Sequence, residues 1–176
     1  MIGRKDWRTP PAFFRQEWEK YRFTVDAAAD DQNALVRPCQ YLALAPKPVG
    51  TWDACCDHAV GRYYTAETNG LNPEHYVEGD RVWCNPPYDA SLLKWLALAS
   101  ETRLRGVFWE LLLQPATDTR WWHRYVWDGR LGRPREGVEV EFLPYRLHFI
   151  NPDEPEKDSP RGANVLVRFW PEGFQL

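Results

Sequence analysis

Residues 82–88 read Val-Trp-Cys-Asn-Pro-Pro-Tyr, a short apolar run cut off by an amide, two prolines and a tyrosine. Proline has no N–H and a fixed φ, so Pro86 and Pro87 can continue neither a helix nor a central strand. The residue before a proline is driven into extended geometry, which places the break at Asn85. A sheet containing Arg81 to Cys84 must therefore end in a stiff loop that offers carbonyl oxygens and no donors. Asn85 adds a side-chain carbonyl, and Tyr88 adds a flat ring. A rigid pair of acceptors beside a stacking face suits a planar guest with an exocyclic amine. Pro-Pro alone is more often only a turn. The full tetrad Asn85-Pro86-Pro87-Tyr88 is far rarer at average residue usage.

The flanking residues set this loop in an α/β sheet. Gly106 to Leu113 is almost wholly apolar, as a parallel strand covered on both faces must be. Between the two, Leu92, Trp95, Leu96 and Ala99 recur at helical spacing over Ser91 to Leu104, with Asp89 or Ser91 available as a cap. Near the start, Phe13, Phe14, Trp18 and Tyr21 predict a helix that Thr9 is placed to cap. Tyr21 to Asp26 alternates like a strand and runs into Asp26-Ala27-Ala28-Ala29. An acid followed by small residues at a strand's end is where α/β sheets receive nucleotide-like ligands, although no glycine-rich fingerprint is present.

Gly61 to Thr65 reads as a strand and residues 69–73 as a turn. Residues 38–62 carry Pro38, Pro46, Pro48 and Gly50 and read as an irregular excursion, with residues 42–62 an insertion. A helix is expected from Thr117 or Asp118 through Trp127. Val138 to Phe142 alternates with Glu139 and Glu141, residues 151–162 form a proline-rich acidic loop, and Asn164 to Trp170 is a last strand. Strand–helix alternation followed by consecutive strands predicts an α/β protein whose mostly parallel sheet has an antiparallel C-terminal edge. The 176 residues suit one domain spanning 1–176.

A formal charge of −3 does not by itself point to nucleic acid, but the charge is polarised. Residues 1–24 are net +3, residues 118–135 net +3 and residues 136–176 net −4. A basic face can track phosphates while the rest of the surface repels them. Arg120, Trp122 and Arg124, with Lys94 and Trp95, are candidates for phosphate contact and base stacking. The four cysteines, Cys39, Cys55, Cys56 and Cys84, match no zinc spacing, and no metal is expected. With no leader-like segment and no long apolar run, the expectation is a cytoplasmic protein with reduced thiols and no membrane.

A nucleobase amine is a poor nucleophile because its lone pair is delocalised into the ring. Two acceptors, one on each N–H, draw the nitrogen toward a tetrahedral shape. The Asn85 side-chain oxygen and the Pro86 carbonyl can be those acceptors, with Tyr88 stacked on the ring. Methyl transfer then needs mainly positioning and electrostatics, with no base at the start. The scattered histidines His58, His75, His123 and His148 form no constellation that would supply one.

Carried by an ordered set of motifs, the chain resembles the phage-type (Dam-like) DNA N6-adenine methyltransferases. They are Asp6-Trp7 with Thr9-Pro10, Phe23 to Ala29 with Asn33-Ala34, Gly70-Leu71, Trp83 to Tyr88 and Trp95. Leu113 with Pro115-Ala116, Asp118-Thr119 with Trp121, and Arg146 with Phe149 complete the set. The resemblance implies a Rossmann-like methyltransferase fold that uses S-adenosylmethionine on double-stranded DNA. It implies no required protein partner, and a phage or prophage setting in a bacterial cytoplasm. Trp7, Thr9, Pro10, Asp26, Ala27 and Ala28, with Asn33 and Asn69, then fall in cofactor-binding segments. Asn85, Pro86, Pro87 and Tyr88 become the catalytic loop, and Arg146 joins the DNA contacts. Asn69 stands where aspartate is frequent, and Pro144-Tyr145 precede Arg146 where glycine is usual. The tetrad also occurs in methyltransferases acting on protein glutamine. That activity, and a silent DNA-binding protein of the same fold, are the alternatives. Asparagine rather than serine before the prolines favours adenine over cytosine.

Overall fold

In the computed structural model, residues 7–38, 49–53, 58–151 and 162–174 are described. Side chains alternate across a strand, so each strand of the central sheet feeds two layers. On β6 (Arg81–Cys84), Val82 and Cys84 face one layer and Trp83 the other. On β7 (Phe108–Leu113), Trp109, Leu111 and Leu113 join the first layer and Phe108 and Leu112 the second. Helix α1 (Pro11–Tyr21) covers the second face with Phe13, Phe14 and Trp18, and α2 (Leu92–Thr102) covers the first with Trp95, Leu96, Leu98 and Ala99. All six positions of β7 are buried, as a strand covered on both faces requires.

The main sheet is mixed α/β in topology, with a mostly parallel body and an antiparallel edge. β1 (Val25–Asp26) lies between β5 (Arg62–Tyr63) and β6, parallel to both, and β7 runs parallel to β6. β11 (Val165–Phe169) is antiparallel to β7, and β10 (Val138–Phe142) closes that side antiparallel to β11. Leaving β1, the chain first forms β5 on one flank and then β6 on the other. The direction of winding thus reverses at β1/β6, the place where open α/β sheets bind ligands at strand C-termini. Among the described residues no helix is long and apolar enough to cross a membrane.

Several local expectations are corrected. Thr9 does not cap α1: the cap position is Pro10, with no side-chain bond, and Arg22 ends the helix with a left-handed φ of 56°. The regular strand after it is consequently only Val25–Asp26. Part of the excursion at 38–62 is ordered structure, because β2 (Val36–Arg37), β3 (Trp52–Asp53) and β4 (His58–Val60) form a small sheet in the order β2-β4-β3. Cys39, Cys55, Cys56, Asp6 and nearly all of the 151–162 loop lie outside the described residues.

The helix expected from 117 or 118 to 127 is shorter, covering only residues 120–126. Residues Trp122–Val126 make a single π-helical turn, which runs into a hairpin of β8 (Trp127–Asp128) and β9 (Arg133–Pro134). The His123 carbonyl, one of the last four of this helix and so without an intrahelical partner, accepts from the Arg135 guanidinium, Nε to oxygen 2.7 Å.

One buried arginine knits the antiparallel edge to α1. Arg168, 1% exposed, donates to Glu139 at 2.7 Å, to Glu141 at 2.6 Å, to Glu17 on α1 at 3.3 Å, and to Glu110. Glu110 and Glu139 stand opposite Arg168 on the two neighbouring strands. One guanidinium cannot compensate four carboxylates, even with Lys20 on Glu17 at 2.7 Å. Glu110 is the deepest, 0% exposed with Oε1 unpartnered, and burial pushes its carboxyl up to about 8 despite the attraction of Arg168. A carboxyl raised on folding favours the native state while protonated. That contribution is complete below its ordinary 4.5 and is lost as pH rises through about 8. Glu110→Gln should therefore melt close to wild type near pH 4 and above it near pH 9 (about these values, from the linkage relation), measured by thermal unfolding. A lower midpoint at the alkaline pH would show that Glu110 works as an ionised partner of Arg168.

Candidate active site

The C-terminal ends of β5, β1, β6 and β7 open into one cleft of about 980 Å³, within the range that holds a cofactor-sized molecule. Asp26 ends β1, Asn85-Pro86-Pro87-Tyr88 follow β6, Gln114 follows β7 and Tyr64 follows β5, and all of them line it. The prolines end β6 at Cys84, so the Asn85 loop turns out of the sheet beside the Asp26 turn. The two stand on either side of the reversal point.

Asp26 is buried, and its Oδ2 accepts from the Leu35 N–H at 2.9 Å. Burial pushes its carboxyl up to about 7, against the downward pull of the Leu35 and Ala28 N–H groups. The following turn is built by Asp30, whose Oδ1 accepts from the N–H groups of Gln32 at 2.7 Å and Asn33 at 2.8 Å. The Asn33 side chain closes the turn by accepting from the Asp30 N–H at 2.8 Å and donating to Asp30 Oδ2 at 2.9 Å. Across the cleft, the Tyr88 hydroxyl donates to the Leu112 carbonyl at 3.0 Å while the residue is 46% exposed. The tip is thus anchored inside the protein and the ring is left open to a guest. Burial of that tip raises the phenol's pKa.

Of the residues expected to hold a cofactor, Trp7, Thr9, Asp26, Ala27, Ala28, Asn33 and Asn69 line the cleft, and Pro10 does not. Thr9 is 5% exposed and its hydroxyl has no partner. Asn69 adopts a left-handed φ of 53°, which asparagine tolerates better than most residues. The residues expected to meet DNA are not in the cleft. Lys94, Arg120, Arg124 and Arg146 are exposed outside it. Trp122 is corrected: it is fully buried beneath the first face of the sheet and has no ring face to offer a base. Trp95 is likewise buried, its indole N–H unpartnered and closed off from solvent, although the residue contributes to the cleft lining. The hairpin bearing Arg130 and Arg133 leads into Val138, which pairs with Phe169 near the start of β7, the sheet end away from the cleft.

Sequence reading missed Tyr64, Gln114 and Arg8 as cleft residues. The first two were findable, since each directly follows a parallel strand. Arg8 arrives through a long-range bridge with Ile150 that leaves no local signal.

The chain belongs to the DNA N-6-adenine-methyltransferase (Dam) family, whose family model matches residues 51–172. The matched span holds Asn69 and the Asn85–Tyr88 loop and excludes Trp7 to Asn33. Membership supports adenine N6-methylation of DNA in general. No curated protein and no solved structure matches the chain. Among the described residues no group of three or more His, Cys, Asp or Glu could hold a metal.

Gly70 shows how tightly the cleft wall is built. A Cβ there would lie 2.1 Å from the Ala27 carbonyl and 2.9 Å from the Trp95 ring. The first of these is backbone at the end of β1 and cannot yield cheaply. Gly70→Ala should lower stability by about 1–3 kcal/mol, the usual cost of overpacking, read as a shift of the denaturation midpoint. An unchanged midpoint would show that the wall is pliable.

Proposed function

We propose that this protein transfers a methyl group from S-adenosylmethionine to N6 of adenine in double-stranded DNA, on a single-domain Rossmann-like methyltransferase fold. The observation that carries this reading is one cleft holding Asp26 on one side of the β1/β6 reversal and Asn85 to Tyr88 on the other. S-adenosylmethionine would supply an electrophilic methyl group on a cationic sulfur. The residues present fit such a ligand. Asp26, Asp30, Asp31, Glu67 and Asp89 line the cleft, which favours a cation and disfavours a phosphorylated nucleotide. Ala27 and Ala28, small residues on the lining of the cleft, leave room for close approach.

Asn85 Oδ1 and the Pro86 carbonyl accept from the two N–H bonds of the adenine amine. The Tyr88 ring stacks on the base, its tilt fixed by the bond to Leu112. The nitrogen lone pair then projects from the ring plane, and a proton leaves once the nitrogen has become cationic. None of the four histidines lines the cleft, which fits a reaction that starts without a base. Reaching the amine requires the base to leave the duplex, at a cost of a few kcal/mol that stacking offsets. Exposed Lys94, Arg120, Arg124 and Arg146 supply phosphate contact outside the cleft. A bacterial cell carrying a phage or prophage is the setting we propose for this activity.

Incubation with labelled S-adenosylmethionine and unmethylated DNA, followed by nucleoside digestion, tests the reading directly. Label in N6-methyladenine is expected. Label in a glutamine-bearing protein substrate, or cofactor binding with no transfer to either, would replace it. Asn85→Ala should cut turnover heavily while cofactor binding survives, because it removes one amine acceptor only. Wild-type-like turnover would sink the two-acceptor mechanism. Tyr88→Ala should weaken capture of the target base by about 1–3 kcal/mol, the worth of one stack, measured on DNA with an unpaired adenine.

A further inference from the structure

A loop built to accept an amine is poorly equipped to read the rest of a base. Pro86 and Pro87 have no N–H, and the Tyr88 hydroxyl is spent on the Leu112 carbonyl at 3.0 Å. The two ring nitrogens beside the adenine amine, N1 and N7, are themselves acceptors. Once the base has left the duplex, N1 has lost its pairing partner, and an acceptor left unsatisfied in the cleft costs free energy. A donor has to come from another element.

The end of β7 supplies one. Cys84, the last residue of β6, pairs with Leu111, so β7 runs beside the strand that feeds the Asn85 loop. Tyr88 reaches across to Leu112, and its hydroxyl also meets the Gln114 backbone N–H. Gln114 is the first residue beyond β7, exposed and on the cleft lining. Among the described residues its side-chain amide has no hydrogen-bond partner. Gly162 stands against that amide, since an added Cβ there would lie 3.5 Å from Nε2. The amide is thus packed on one side and unsatisfied. A base resting on Tyr88, with its amine at Asn85 and Pro86, is bordered by Gln114 on the β7 side.

We propose that Gln114 is a base-recognition residue of the cleft, its Nε2 donating to a ring nitrogen beside the target amine. The assignment rests on the adenine-methylation reading above. Contact with N7 also excludes cytosine, which carries an amine but has a C–H in that place.

Methyl transfer by the full chain to defined duplexes tests the assignment. Sequencing of DNA that wild type has methylated gives the target site, and the target adenine is then replaced by 1-deazaadenine or by 7-deazaadenine. Each analogue keeps the amine and removes one ring nitrogen. Wild type should lose about fivefold or more in kcat/KM on one of them, the worth of a hydrogen bond. Gln114→Met, close in volume and without an amide, should lose a similar factor on adenine and treat that analogue like adenine within about twofold. The analogue affected identifies the nitrogen. Penalties equal in wild type and variant, or absent from both, would overturn the assignment while leaving adenine methylation standing. Wild type that methylates no adenine would overturn that reading and this inference with it. Thermal unfolding of the variant shows that it is folded, and no shift of midpoint is expected at an exposed position.

Discussion

The cleft exists because a strand in the middle of the sheet is forced to stop. Pro86 and Pro87 have no N–H to give to a neighbour, so β6 ends at Cys84 and the chain leaves the sheet between β1 and β7. On one side Asp26 ends β1 at nearly the same level, paired through Asp26↔Trp83. On the other, the Leu112 carbonyl receives the Tyr88 hydroxyl and fixes the loop's far end. Asn85, Pro86, the Tyr88 ring and the buried Asp26 are thereby brought around one space by backbone geometry. No side-chain network among them is needed to hold it open.

Charge is divided in the same spatial way. The buried cluster around Arg168 lies on the α1 face, at the antiparallel edge, where it ties β7, β10 and β11 to the helix. The cleft acids lie beyond the strand ends, on the lining of the cleft. Both groups are acid-rich, but only the first is closed around a resident cation. The contrast explains why the acidic C-terminal segment is not simply a solvated surface. Glu139 and Glu141 point to Arg168 while remaining partly exposed, and Val138 and Val140 alternate with them toward the core.

How much was legible follows from whether the deciding interaction is local. The strand ends were readable because proline chemistry and apolar runs act over a few residues. The helix expected over 117–127 is shorter because the β8–β9 hairpin takes over at Trp127, through pairings with Arg133 and Pro134 that lie outside the segment. Trp122 was misread because a tryptophan beside arginines has the same composition whether it stacks on a base or fills a core. Only its seat under the first face of the sheet separates the two. The small sheet of β2, β3 and β4 was hidden because its strands are two or three residues long among prolines and a glycine.

The sequence by itself determined that an α/β sheet ends in an Asn-Pro-Pro-Tyr loop, because covalent constraints on proline and apolar periodicity need no partner to act. It also determined the acid and small residues after the first strand. Tertiary structure alone decided that these two turns face each other, since strand order depends on pairings between residues more than fifty positions apart. It alone decided which charges meet. Arg8 reaches the cleft only through Ile150, and Arg168 finds Glu17 only because α1 packs on that face, contacts that no local pattern encodes.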